Sequence, residues 1–177
     1  MTNKIILLGM LILFTFTGCE SNGRVHDKNY LRAVSVSGDN EKIVTFTFFT
    51  KDGKYITTSG KDLTEAKELA ELRTGKKIIT GYTEMIVLDG SNSVDILEFM
   101  LHKWKVSPSC IIAYSEDGDV FDSSVEKLTG SVNNAISQGK APECDIITVM
   151  SRLLGENQSA QVAGISSDGI ISVHTIN

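Results

Sequence analysis

Beyond residue 19, two short stretches are almost free of polar side chains: Met85-Ile86-Val87-Leu88 and Cys110-Ile111-Ile112-Ala113-Tyr114. Each is too short for a core helix. Asp89-Gly90 closes the first and the polar turn Ser115 to Asp119 closes the second. Short apolar runs bounded by turn residues read as β-strands covered on both faces. Such strands need a layer above and below the sheet, so the chain is expected to fold as a sheet with helices packed on it.

The flanking segments supply the remaining strands and the layers. Leu31 to Ser37 alternates, and Ile43-Val44-Thr45-Phe46-Thr47-Phe48-Phe49 alternates more clearly, with Phe46 and Phe48 on one face. Gly38-Asp39-Asn40 between them is a turn cluster, so the pair reads as a hairpin. A second turn, Lys51-Asp52-Gly53-Lys54, leads into a third strand, Tyr55 to Ser59. Asp62 opens a helix as N-cap with Glu65 three residues on, Leu63, Ala66, Leu69, Ala70 and Leu72 form its apolar side, and Gly75 ends it. Most of Lys76 to Leu88 reads as strand. Ser93 is expected to cap a buried helix carrying Val94, Leu97, Leu101 and Trp104. A weaker helix begins at Ser124 and carries Val125, Leu128, Val132 and Ile136. Another has Pro142 in its first turn and Ile146, Val149, Met150 and Leu153 on one face. Gln161 to Ile165 and Ile170 to His174 read as a hairpin around Ser167-Asp168-Gly169. The expected order is β-β-β-α-β-α-β-α-α-β-β: a single α/β (α+β) domain, with a mixed sheet flanked by about four helices.

The first residues are not expected to join that domain. Lys4 is followed by an apolar run from Ile5 to Phe16, and Phe16-Thr17-Gly18-Cys19 closes it with small residues and a cysteine. A secretory signal has this three-part order. The cysteine at the cleavage position resembles a bacterial lipobox, with Phe16 where leucine is usual. Residues 1–18 are then a lipoprotein signal peptide, and Cys19 becomes the diacylglyceryl-modified first residue, whose two acyl chains suffice for stable anchoring. An uncleaved anchor with an incidental cysteine is the alternative. Either places the rest of the chain outside the cytoplasm, against a membrane. Residues 19–30 read as a polar tether and residues 31–177 as the domain.

The chain carries a net charge of −5. That disfavours nucleic acid, whose affinity comes mainly from Lys and Arg on phosphates, and it disfavours lying flat on an anionic lipid surface, so anchoring is left to the lipid. Cys110 and Cys144 remain after Cys19; outside the cytoplasm they could pair, or stay as two separate core thiols. Catalytic and metal signatures are weak. His26, His102 and His174 lack metal-ligand spacing, and no G-x-S-x-G elbow is present. Cys110 with His102 or His174 is the one thiol–base pairing the residues allow. Gly75-Lys76-Lys77 lacks the upstream glycine of a phosphate loop and stands at a helix end, so Gly75 reads as a C-cap. Glu116-Asp117-Gly118-Asp119 lacks EF-hand spacing and reads as turn acids. No enzyme, cofactor or metal is expected.

The order of segments is more informative than any one of them. The lipobox and first hairpin are followed by Ser59-Gly60-Lys61-Asp62-Leu63-Thr64-Glu65-Ala66, then by Thr74-Gly75-Lys76-Lys77-Ile78-Ile79-Thr80-Gly81-Tyr82 running into Met85 to Leu88. Asp95-Ile96-Leu97-Glu98-Phe99 and the late helix Asp145 to Leu154 follow. Together these resemble the N-terminal domain of the Ger(x)C family, the C-subunit lipoproteins of bacterial spore germinant receptors. There are departures. Glu20-Ser21 stands where the family shows Trp-Asp, Gly81-Tyr82 replaces Gly-His, and the chain stops at Asn177 where full-length members continue through further domains. The resemblance implies a non-catalytic, lipid-anchored component on the outer face of the cytoplasmic membrane, the inner membrane of a spore. It would act by contact with integral membrane A- and B-type subunits. The residues alone also allow a free-standing solute-binding or adaptor lipoprotein, or a surface enzyme.

Overall fold

The computed structural model describes residues 27–50, 55–116, 120–122, 124–166 and 171–177. The lipidation candidate Cys19, the signal peptide, most of the expected tether and the turns at 51–54 and 167–170 lie outside the described residues.

The chain forms a single α+β domain with a mixed sheet of eight strands. In chain order these are β1 (Lys28–Ser37), β2 (Lys42–Phe48), β3 (Tyr55–Gly60), β4 (Lys77–Ile79), β5 (Met85–Leu88), β6 (Ile111–Tyr114), β7 (Ala160–Ile165) and β8 (Ile171–Ile176). The helices are α1 (Leu63–Thr74), α2 (Ser93–Phe99), α3 (Val125–Ser137) and α4 (Ile146–Leu153). The sheet runs β3-β2-β1-β5-β6-β7-β8. β1, β5, β6 and β7 are parallel, with antiparallel partners at both edges. The strands expected to be covered on both faces are those at the centre, where β5 is buried throughout.

β1 starts at Lys28, three residues before the expected strand, so the end of the expected tether belongs to the sheet. The stretch expected as one strand over 76–88 is two. β4 pairs with Lys28 to Tyr30, and β5 pairs with Ala33 to Val36. From Tyr30 to Ala33 is three steps along β1, whereas their partners Ile79 and Met85 are six steps apart. The surplus is taken up in a turn in which the Thr83 amide and hydroxyl both donate to Thr80 O, and the Glu84 amide then returns to Arg32 O. A bulge in β1 at the same level, between Leu31 and Ala33, matches this break in register.

Helix α1 begins as expected. Asp62 Oδ1 accepts from the Glu65 amide at 2.9 Å, and the Glu65 carboxylate accepts from the Lys61 amide at 2.8 Å. Gly75 ends it in the left-handed region at φ 66°, which an L side chain resists. Leu63, Ala66 and Ala70 are buried, but Leu72 is 78% exposed. Nine positions after Leu63, at about 100° per residue, it falls on the opposite side of the helix.

Asn92, in the left-handed region, occupies the N-cap of α2, and the Ser93 hydroxyl donates instead to Gly90 O. After Phe99 the helix widens into a π-helical turn, Met100–Trp104, ended by Lys105 at φ 56°. The core stripe is therefore Ile96, Leu97, Met100 and Trp104, while Val94 and Leu101 are only half-buried. Trp104 packs against Phe46 and Phe99 at 5.9 and 6.0 Å between ring centres. Ser124 stands at the N-cap of α3 without a side-chain cap bond. Pro142 lies before α4, not in it; Asp145 is the cap, accepting from the Thr148 amide and hydroxyl.

Candidate functional site

The parallel strands divide the loops into two ends. At the C-terminal ends of β1, β5 and β6 lie Asp39, Glu41, Asp89 and Glu116, joined by Asp62 and Glu65 at the start of α1. Asp89 is engaged there: its carboxylate accepts from the amides of Gly38 and Ser91, tying the loop after β1 to the loop after β5. At the opposite end, here called basal, β1 starts beside β4, so Lys28 and Lys77 stand as cross-strand neighbours.

A cavity opens at this basal end, between α1, β4 and the π-helical turn. It is a groove of about 710 Å³ whose lining includes Lys28, Glu71, Ile79, Phe99, Lys103 and Trp104. Its fixed point is Glu71. One carboxylate oxygen accepts from Lys67 Nζ at 2.7 Å and the Ile78 amide at 3.0 Å; the other accepts from Lys77 Nζ at 2.6 Å. Burial alone would raise this carboxyl, but the hydrogen bonds from Lys67 and Lys77 and the Ile78 amide outweigh it and hold it at about 2. The same contact raises the Lys77 ammonium. Sequence reasoning did not single out Glu71. The Lys67–Glu71 spacing of four on a helix was visible, but the approach of Ile78 and Lys77 depends on where β4 docks.

A smaller crevice of about 300 Å³ lies at the acidic end between β6, β7 and β8. The His174 and Tyr114 rings stack with centres 3.4 Å apart, and Tyr114 Oη donates to Glu116 at 3.0 Å. Slight burial and the Glu116 carboxylate push the Tyr114 phenol up. No local signal marks this pair in the sequence, because β7 and β8 bring it together.

The thiol–base pairing is not assembled. Cys110 precedes β6 and Tyr114, which carries His174, ends it; four residues of strand separate them by about 13 Å. His102 is exposed on the π-helical turn. Cys110 and Cys144 are free and buried. They flank an isolated bridge between Ile111 and Asp145, with Ile112 N donating to Cys144 O and Ile146 N to Cys110 O. Burial raises both thiols, with nearby carboxylates adding to the effect, so neither is an activated nucleophile. Gly75-Lys76-Lys77 lies at the C-terminus of α1, as a cap. Among the described residues no group of three or more His, Cys, Asp or Glu could hold a metal ion. No described helix is long and apolar enough to cross a membrane.

One further surface stands out. On the face of β2 and β3 turned away from α1, Ile43, Phe49 and Tyr55 are each 45–48% exposed. A hydrogen-bonded threonine pair, Thr45 and Thr57, lies between them. The opposite face of β2 is core, with Val44, Phe46 and Phe48 buried.

Comparison with family models, with curated proteins and with solved structures returns no match.

Proposed function

We propose that the chain is a lipid-anchored contact module: a non-catalytic component of a spore germinant receptor, held at the outer face of the cytoplasmic membrane by diacylated Cys19 and working against integral membrane A- and B-type subunits. The observation that carries the contact mode is the set of half-exposed apolar side chains Ile43, Tyr55 and Phe49, set around the buried Thr45 and Thr47. The lipobox and the order of motifs support the anchor and the type of partner. The anchor does its work by concentration, since a tethered domain meets a membrane partner at a far higher effective concentration than a free one. Mass spectrometry of proteins recovered with the lipidated chain from gently solubilised membranes tests this. Receptor-type membrane subunits are expected, and should be lost when Ile43 and Tyr55 are both replaced by Ser. Recovery of the acylated chain without membrane partners would refute it. Cys19→Ser should release the protein from membranes or leave it with its signal attached; unchanged acylation would remove the anchor from the proposal.

The alternative is a free-standing solute-binding or adaptor lipoprotein. It is favoured by the basal groove, where Phe99 and Trp104 form apolar walls and Lys28 and Lys103 bring cations to one cavity. A small anion retained in native mass spectrometry, and lost in Lys103→Ala, would select that reading.

A further inference from the structure

The charge of the chain is unevenly distributed between the two ends of the sheet. The loops at the C-terminal ends of the parallel strands are acidic, with only Lys42 and Lys61 interspersed. The basal end carries Lys28 and Lys77 side by side on β1 and β4, and Lys103 and Lys105 at the close of the π-helical turn. Lys77 is 79% exposed, and Lys103 and Lys105 are exposed. The acids beside them are largely engaged: Glu71 is held by Lys67 and Lys77, and Glu84 by Arg32 at 2.8 Å. Exposed acids also stand at this end: Asp27, Glu68, Glu126 at 3.8 Å from Arg32, and Glu156 in the loop that enters β7.

The same end presents aromatic rings to solvent. Tyr82, 63% exposed, meets Tyr30 edge-on at 5.6 Å, in the turn between β4 and β5. That turn is anchored, because the Thr80 hydroxyl donates to Trp104 O and Gly81 abuts Lys105 O. The Arg32 guanidinium lies 5.2 Å above the half-exposed Phe49 ring. An exposed tyrosine beside lysines, backed by the half-buried Tyr30, matches the chemistry of a bilayer interface, where rings sit at headgroup level and long cationic chains reach anionic phosphates.

The chain path selects the same end. Eight residues separate Cys19 from Lys28, and the intervening chain reaches at most about 30 Å. β1, ten residues long, extends about 33 Å away from that point towards the acidic end. A lipid at Cys19 thus brings the basal end to the bilayer, and the tether at full stretch would be needed to bring the acidic end there. Charge and tether length are independent and agree.

We infer that the basal end, built by Lys28, Tyr30, Lys77, Tyr82, Lys103 and Lys105, is a membrane-facing surface that docks on anionic lipid headgroups. This docking orients the domain, with the acidic loops pointing away and Ile43, Tyr55 and Phe49 placed for lateral contact. The inference rests on the lipid-anchor reading of Cys19.

The test uses the mature acylated protein in vesicles of phosphatidylethanolamine and phosphatidylglycerol that contain a doxyl-labelled lipid. A polarity-sensitive fluorophore is placed on Tyr82→Cys or, separately, on Asp39→Cys; the buried Cys110 and Cys144 do not compete for label. Quenching several-fold greater at position 82 than at 39 is expected. It should fall towards the level at 39 in Lys103→Glu/Lys105→Glu, and also when phosphatidylcholine replaces the anionic lipid. Vesicles that carry the protein but quench both positions equally, or neither, overturn the docking inference while leaving the anchor intact. Protein that does not float with vesicles at all overturns the anchor, and the inference with it. Both labelled positions lie in exposed turns, and a matching thermal transition for each labelled protein confirms the fold.

Discussion

Replacing Glu71 by Gln separates charge from shape at the joint between α1 and β4. The variant's amide oxygen can still accept from Ile78 N, but the charge that binds two ammonium groups is gone, and an NH2 donor faces a lysine. The carboxyl stands at about 2 in the folded chain against an ordinary 4.5. At ~1.4 kcal/mol per unit, this difference is worth about 3 kcal/mol when the group is fully ionised. The Lys77 side chain is 79% exposed, so water and salt screen its share. About 2 kcal/mol of destabilisation at pH 7 is the working expectation once that screening is allowed for. The direction with pH follows from the depressed value. Such a group stabilises the fold above its unfolded pKa, and the contribution drains away as pH falls from about 4.5 through about 2. At about pH 2.5 only about a quarter of it remains. Urea unfolding of wild type and variant at both pH values, read by Trp104 fluorescence, measures the two differences. A gap that is equal at the two pH values, or near zero at pH 7, would refute the assignment of the stabilisation to the Glu71 charge.

Two further outcomes follow from buried groups. The Thr47 hydroxyl is buried without a hydrogen-bond partner among the described residues, so Thr47→Val, which keeps the shape, should raise stability by up to about 1 kcal/mol in urea unfolding; a clear loss would show that the hydroxyl is bonded in solution. Cys110 and Cys144 are free, buried and shifted upward, so a thiol reagent should modify neither in the native protein and both in urea; fast native labelling of either would contradict the packing around Ile112.

Much of the architecture was readable because it rests on short-range physics. The Asp62–Glu65 cap, the Gly75 stop, the alternation of β2 and the apolar density of β5 each act within a few residues. Local patterns failed where a distant partner decided. Ser93 looked like a cap, but Asn92 accepts the left-handed conformation and takes the position. Pro142 suited a first helical turn, but the bridge between Ile111 and Asp145 holds the chain extended there and delays α4 to Ile146. Leu72 was assigned to the apolar side of α1 by hydrophobicity, although its angle about the helix faces solvent. The candidate site was less legible still. Cys19, proposed as a lipid site from sequence pattern alone, lies outside the described residues, whereas Glu71, Tyr114 and His174 acquire their partners only through the sheet.

The break between β4 and β5 shows why the basal surface could not be read from the chain. As a single strand, 76–88 would have placed its residues alternately on the two faces of the sheet, with no special end. Split at Thr80, the same residues do three different things. Ile78 receives Glu71 at the edge of β4, Thr80 and Thr83 turn inwards and become buried, and Tyr82 is left at the tip against Tyr30. The turn that separates the strands also closes on the π-helical segment through Thr80 and Trp104. Lys105 and Tyr82, distant in sequence, thereby share one surface. The irregular elements, a bulge, a split strand and a widened helix, all meet at this end of the sheet. Regular secondary structure accounts for the core, and these departures from it account for the cationic, aromatic face proposed to meet the membrane.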